Sequence, residues 1–314
     1  MNATIREIGS DADLETFVAL VNEITPDDPT TLEEIRWSDA TYPGTVRLLA
    51  EVGGRAVGVA TVGRIYVQAA DYPDLWGYVA VAEAHRRQGI GTTLLARISD
   101  HARSAGKAGL QGRVSSTRPE AIAFLERRGL AEDERSKSVR LDLDGLEPPE
   151  IAMPVGVVLT DLAARPDLVQ GVHTVALETF ADIPWTDAPM APGDLAEFRA
   201  RDVDRPGIPH DAFMVAVEVA SGAVVGYASL MFVPGSTTVA WHDMTAVRRA
   251  WRGRGLATAL KRATIAWAIE HGLEALETGN DEGNAPMRAV NARLGYRPLP
   301  DEIFVRGPLQ PPGD

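Results

Sequence analysis

The feature that most restricts what this chain can fold into is that it repeats itself. VAVAEAHRRQGIGTTLL, from Val79, lies against TAVRRAWRGRGLATAL, from Thr245, with Arg86 and Arg252, Gly89 and Gly255, and Gly91 and Ala257 each 166 positions apart. Gly106 with Gly272, Leu110 with Leu276 and Gly129 with Gly295 keep the same spacing. Chance supplies an isolated glycine pair, but one offset carried through strand, turn, helix and next strand means a duplicated domain. Upstream, EVGGRAVGVATV from Glu51 resembles EVASGAVVGYASL from Glu218 with a slip of a residue or two, as a loop insertion produces. A chain of 314 residues suits two such domains, which we place at 1–147 and 148–314. The division falls in DLDGLEPPEIAMPVG, from Asp142 to Gly156, where prolines and glycines interrupt periodicity.

Each half reads alike. A helical stretch precedes two alternating strands joined by a tight turn, Gly53-Gly54 or Ser221-Gly222. A strand ending VAV or TAV then enters a glycine loop and a helix closed by Gly106 or Gly272. A short strand and a second helix follow. That helix is expected to begin with a capping box, Thr117 with Glu120, in the first half, and with Asn284 as cap and Pro286 in its first turn in the second. The reading is a mixed α/β unit used twice, with a frayed tail from Gly307.

Composition removes several kinds of chemistry. Without cysteine there is no disulfide, thiolate metal site or cysteine nucleophile, and the six histidines show no zinc spacing, so no metal is expected. The net charge of −13 disfavours a nucleic-acid partner and favours cationic small molecules. The acids of MNATIREIGSDADLET stand where a secretion signal is apolar, and no apolar run reaches membrane-spanning length. We expect a cytoplasmic protein with no membrane partner, either a monomer whose halves form a pseudo-dimer or a homodimer.

The two glycine loops read as phosphate cradles. Glycines let backbone approach a ligand, successive amides form an anion nest, and the following helix adds its positive dipole end. Neither loop has the four-residue gap and Gly-Lys-Ser/Thr of a nucleoside triphosphate loop, nor the third glycine of the dinucleotide fingerprint. Their pattern is Arg-x-x-Gly-x-Gly/Ala after a strand ending Val-x-Val or Thr-x-Val. It comprises Arg86, Arg87, Gln88, Gly89, Ile90, Gly91 and Thr92 after Val79 and Val81. Its second copy is Arg252, Gly253, Arg254, Gly255, Leu256, Ala257 and Thr258 after Ala246 and Val247. In this the sequence resembles the GCN5-related N-acetyltransferase superfamily, and NAPMRAVNARLGYRP from Asn284 looks like that family's last helix. The resemblance implies two tandem domains, each a mixed, mostly antiparallel sheet flanked by helices. It also implies that the loop residues and the ends of both strands bind acetyl-CoA.

The resemblance further implies a general base on the strand entering the loop, four or six residues before its end. Counting back from Val247 gives Asp243 and Trp241, which share a strand face, while His242 points the other way unless a bulge turns it. Asp243 and His242 are the candidate proton acceptors, with Trp241 beside the substrate. The same count from Val81 gives Gly77 and Leu75, which accept no proton, so the second half is expected to react and the first only to bind cofactor. The tyrosine that relatives use as general acid is replaced by Asn291, so Asn284 and Asn291 are expected to hydrogen-bond the pantetheine arm. Acceptor choice is expected to rest on Phe180, Asp182, Trp185 and Asp187, whose aromatic and acidic side chains suit a small cationic amine, a metabolite or an antibiotic. Two alternatives stay open: a non-catalytic acyl-CoA sensor, and acetylation of a thiol-cofactor precursor, as in another tandem member of the superfamily.

Overall fold

The computed structural model describes residues 3–183 and 190–311, so Trp185 and Asp187 lie outside the described residues. The chain forms two compact units. One runs to Arg135 and resumes at Glu302; the other is Ser136–Asp301.

In the first unit the order is β1 (Thr4–Glu7), α1 (Asp11–Ile24), α2 (Leu32–Thr41), β2 (Val46–Val52), β3 (Arg55–Gly63), β4 (Asp74–Val81), α3 (Ile90–Ser104), β5 (Gly109–Ser115) and α4 (Pro119–Glu126). The Gly53-Gly54 turn joins β2 to β3, both glycines having positive φ, and Gly106 closes α3 in the left-handed conformation. Leu94, Leu95, Ile98 and Ala102 of α3 pack on Leu48, Ala60 and Val62 from one side of the sheet. Phe17, Leu20 and Val21 of α1 cover Val59 and Ala80 from the other. Ser10 caps α1, its hydroxyl accepting from the Asp13 amide. The expected capping box of α4 does not form: Arg118 takes the cap position without a side-chain bond, and the Thr117 hydroxyl pairs with Ser115 instead.

The second unit repeats the plan with β6 (Ala131–Asp142), β7 (Val157–Asp161), α5 (Val169–Thr179), α6 (Leu195–Phe198), β8 (Met214–Glu218), β9 (Val224–Phe232), β10 (Val239–Val247), α7 (Leu256–Glu270), β11 (Ala275–Asp281), α8 (Ala285–Arg293) and β12 (Arg297–Pro298). The last strand of the chain is β13 (Glu302–Pro308). Residues 143–156, between β6 and β7, form neither helix nor strand.

Strand order is β1-β2-β3-β4-β5-β13 in the first unit and β7-β8-β9-β10-β11-β6 in the second. In both, only the pair flanking the long helix is parallel, β4 with β5 and β10 with β11, because parallel neighbours need a crossover and α3 or α7 supplies it. The closing strand is exchanged. From Ser136 onward β6 pairs with β11 in the second unit, whereas β13 pairs with β5 in the first, Glu302 opposite Ser115. The tail therefore does not fray at Gly307: Gly307 and Pro308 belong to β13, and the Gln310 amide donates to the Ser99 hydroxyl at 3.1 Å. Among the described residues no helix is long and apolar enough to cross a membrane.

Candidate functional site

The glycine loops have the same backbone in both units. Gly253 and Gly255 adopt φ of 73° and 81°; Arg87 and Gly89, their counterparts, adopt 63° and 86°. Arg87 is the one non-glycine residue with positive φ among those described, so the first loop keeps the conformation despite steric cost. Among the described residues, none of the amides from Gly253 to Thr258 finds a hydrogen-bond acceptor, and none from Arg87 to Thr92 does. Each row of donors opens a helix, α7 or α3, and fits a diphosphate on charge and geometry. Gly253 and Gly255 also leave open space where a Cβ would stand. The arginines act differently from expectation. Arg252 Nε donates to the Val247 carbonyl at 3.1 Å and Arg86 Nε to the Val81 carbonyl at 3.0 Å, stapling each loop to the strand that feeds it. Arg254 stacks over Trp251.

Beyond the loop a wedge opens. The parallel ladder of β10 with β11 ends at Trp241 and Glu277, and that of β4 with β5 at Trp76 and Gln111. The strand ends carrying Val79 and Val81, or Ala246 and Val247, thus diverge from their parallel neighbours. This leaves an edge on which a linear amide-bearing arm can lie. In the second unit the Thr278 hydroxyl donates to the His242 carbonyl at 2.9 Å where the strands part.

What decides the chemistry of the wedge is a bulge. Between His242 and Thr245 the register of β10 against β9 shifts, so that Asp243 and Met244 together oppose Ser229. Met244 and Ala246 pack toward α5, while Val247 packs toward α7. Without the extra residue, simple alternation back from Val247 turns Asp243 under α7; with it, Asp243 faces the α5 side. There its side chain is exposed to solvent yet ringed by protein. That crowding raises its carboxyl above the usual range, and Arg205, Arg201 and Ser229 offset it only in part.

His242 is directed under α7 and does not reach this side. It is 2% exposed, with Nδ1 3.0 Å from the Tyr296 hydroxyl and Nε2 2.9 Å from the Thr264 hydroxyl. Burial, reinforced by the charge of Lys261, pushes its pKa well down. Both nitrogens are engaged in the core, which removes the ring as a proton acceptor.

Other expected residues have different partners. Phe180 is buried in the core beneath Arg201, whose guanidinium lies 5.7 Å from the ring centre. Asp182 pairs with Arg249 at 2.6 Å and Arg252 at 2.5 Å, which hold its carboxyl well below the ordinary range; its charge braces the loop. Asn284 caps α8, accepting from the Met287 amide. Asn291 is buried at 2% exposure and donates to Asn280 at 2.6 Å. Trp241 is half-buried and pairs in register with Met231.

Pattern reading missed Asp202. After α6 the chain winds into a π-helical turn, Arg199–Val203, a departure from α geometry that recurs at functional sites. The turn presents Asp202, ion-paired with the buried Arg201 at 2.6 Å, and its side chain keeps 21% exposure. Burial pushes its carboxyl up to about 6, against the pull of Arg201, with Asp243 adding like-charge repulsion. The buried Tyr227 hydroxyl, which feels both carboxylates, has no hydrogen-bond partner among the described residues. Only the unusual run RARDV could have flagged this group, and its charges read equally well as a solvated helix.

The acetyltransferase (GNAT) family model matches the chain twice, over residues 13–130 and 176–296. The chain belongs to the GNAT family. Its GNAT repeats coincide with the two loops, wedges and flanking helices. The mycothiol acetyltransferase of Nocardia farcinica is 28% identical over 262 residues, 82% of this chain and 81% of that protein. A tandem GNAT protein from the clavulanic acid biosynthesis pathway superposes with a TM-score of 0.78 at 23% identity, all of both chains being covered. A GCN5-related N-acetyltransferase from Sphaerobacter thermophilus gives a TM-score of 0.75 at 21% identity, over 99% of this chain and 97% of that one. The two structural likenesses establish a shared tandem GNAT fold.

Proposed function

We propose that the second unit transfers an acetyl group from acetyl-CoA to the primary amine of a small molecule, with Asp243 accepting the proton that the nitrogen loses. The observation that carries this reading is the β10 bulge, which turns an accessible carboxylate of raised pKa toward α5 on the strand that feeds the phosphate loop. The amides from Gly253 to Thr258 would hold the diphosphate, and the diverging edge near Ala246 and Val247 the pantetheine arm. When bound, the thioester supplies the acetyl group. The chain's own residues orient the acceptor and take up its proton. An alkylammonium of pKa near 10 is mostly protonated at neutral pH, so a base is needed before its nitrogen can attack.

Acceptor recognition follows from Asp243 and Asp202, two carboxylates acting near one another on a cationic group, rather than from Asp182. A panel of purified amines, assayed by release of free CoA thiol, is expected to give turnover with cationic acceptors. Turnover with only anionic or hydroxyl acceptors would reject the amine assignment. No turnover with any acceptor would favour an acyl-CoA sensor. A second acceptor reading, a thiol-cofactor precursor, draws on the 28% identity to the Nocardia farcinica mycothiol acetyltransferase.

Cofactor binding has its own test. Gly255 has space for a methyl group but sits at φ of 81°, so Gly255→Ala strains the backbone by roughly 1 kcal/mol rather than creating a clash. The free variant loop is expected to relax from that φ, which binding must then restore, so calorimetric titration with CoA should show about fivefold weaker binding at the second loop. Unchanged affinity would mean that the diphosphate lies elsewhere.

A further inference from the structure

The two glycine loops share a backbone but not a charge. In the second unit the arginines at the loop have acids facing them: Arg248 pairs with Glu178 at 2.8 Å, and Asp182 holds both Arg249 and Arg252. In the first unit the acids that follow α1 turn elsewhere, Asp28 to Arg113 at 2.6 Å and Asp27 to Arg118 at 3.9 Å. Arg86 and Arg87 are exposed, and among the described residues neither meets a carboxylate within ion-pair distance.

A further guanidinium reaches the first loop from the end of α4. A Cβ on Gly91 would meet the Phe124 ring at 3.4 Å, so α4 lies against the first turn of α3. One turn on, the Arg128 guanidinium lies 3.7 Å from the centre of that ring, Nη1 donating to the Phe124 carbonyl at 2.9 Å and Nη2 to the Thr92 hydroxyl at 2.5 Å. Its remaining N–H donors have no acceptor, and its charge no acid, among the described residues. Burial and the neighbouring Arg127 push its pKa down, as for a cation held without a counter-charge. Thr92 also ends the row of unclaimed amides, so the guanidinium stands at the edge of the cradle. At the spacing that relates the units Thr92 corresponds to Thr258, but Arg128 corresponds to Leu294, and the second loop lacks this group.

Resting on the reading that the loops receive CoA, we propose that Arg128 binds the cofactor's diphosphate at the first loop and makes it the tighter of the two sites. A guanidinium fork directs N–H groups at phosphate oxygens, and Phe124 and Thr92 already hold this one, so little side-chain freedom is lost on binding. At the second loop Asp182 already neutralises part of the arginine charge, which leaves the amides to do most of the holding. The first unit is then built to stay loaded while the second exchanges its cofactor.

Calorimetric titration of the full-length protein with CoA tests it. Wild type is expected to show two sites of unequal affinity, the tighter losing more between low and physiological salt. Arg128→Leu, which gives the first loop the side chain found at the second, should weaken the tighter site about tenfold or more. The weaker site should keep its affinity, which also shows that the variant is folded. Arg128→Lys keeps the charge without the fork and should retain part of the affinity. Dephospho-CoA has the diphosphate but not the 3′-phosphate, so its binding should depend on Arg128 in the same way. A tight site indifferent to Arg128→Leu, equal weakening at both sites, or a dependence lost with dephospho-CoA would overturn the assignment. Binding only at a site that Gly255→Ala weakens would overturn it while leaving the second-unit reading intact. No CoA bound at either loop would remove both.

Discussion

Asp243→Asn is expected to lower acetyl transfer by about 10²-fold to 10⁴-fold, the range that a positioned general base contributes. CoA affinity should stay within twofold, because the amides proposed to hold the diphosphate, from Gly253 to Thr258, do not involve this carboxylate. The raised pKa also sets the pH response. Wild-type kcat/KM should fall with acid at a pH above the usual carboxylate range, and Asp202, pushed up to about 6 beside it, should move the limb with it. The variant should lose that limb. Stability should change in the opposite direction. A carboxyl whose folded pKa lies above its unfolded value costs stability once pH exceeds the unfolded value, so the amide should melt at the same temperature or higher. Thiol-release kinetics over pH 5 to 9, with thermal melts, check both. An unchanged rate in the asparagine variant would remove Asp243 from the reaction.

The second large effect is expected at Lys261, which lies in the core of the second unit rather than in its wedge. Lys261 of α7 is 2% exposed, its ammonium 5.3 Å from the centre of the Tyr296 ring, and burial pushes its pKa down to about 7. A cation–π contact contributes up to about 2 kcal/mol, less than the cost of dehydrating an ammonium, so desolvation prevails. The unfolded chain keeps its proton to about pH 10 while the folded chain releases it near 7, so unfolded protein binds more protons between those values. Stability therefore rises with pH across that window, and the penalty is full below it. Lys261→Met fills similar volume without charge and should stabilise the protein at pH 7 by on the order of 4 kcal/mol. The gain should shrink toward pH 10. Urea unfolding at pH 7 and 9.5 measures it. A methionine variant less stable than wild type at both pH values would show that the ammonium is satisfied in the core.

Much of this architecture was legible because local chemistry repeats. Gly53-Gly54, Gly106, Gly272, Gly129 and Gly295 mark turns and helix ends where positive φ is required, and each has it. The loop pattern likewise located two rows of unclaimed amides. Residue roles that depend on a partner were less legible. Asp182 reads as a pocket acid until Arg249 and Arg252 are seen across from it, and Phe180 reads as a substrate contact until its burial is seen. Thr117 has the residue type for a cap, yet its hydroxyl bonds to Ser115.

Sequence by itself determined the duplication, the two glycine loops and membership of an acetyltransferase fold, since backbone conformation at glycines and helix starts depends on neighbours along the chain. Tertiary structure decided which of Asp243 and His242 faces the α5 side of the sheet, because one inserted residue in a strand inverts every side chain before it. It also decided that Glu302 stands beside Arg113, because β13 pairs with β5. Strand pairing brings together residues far apart along the chain, and no local spacing records that.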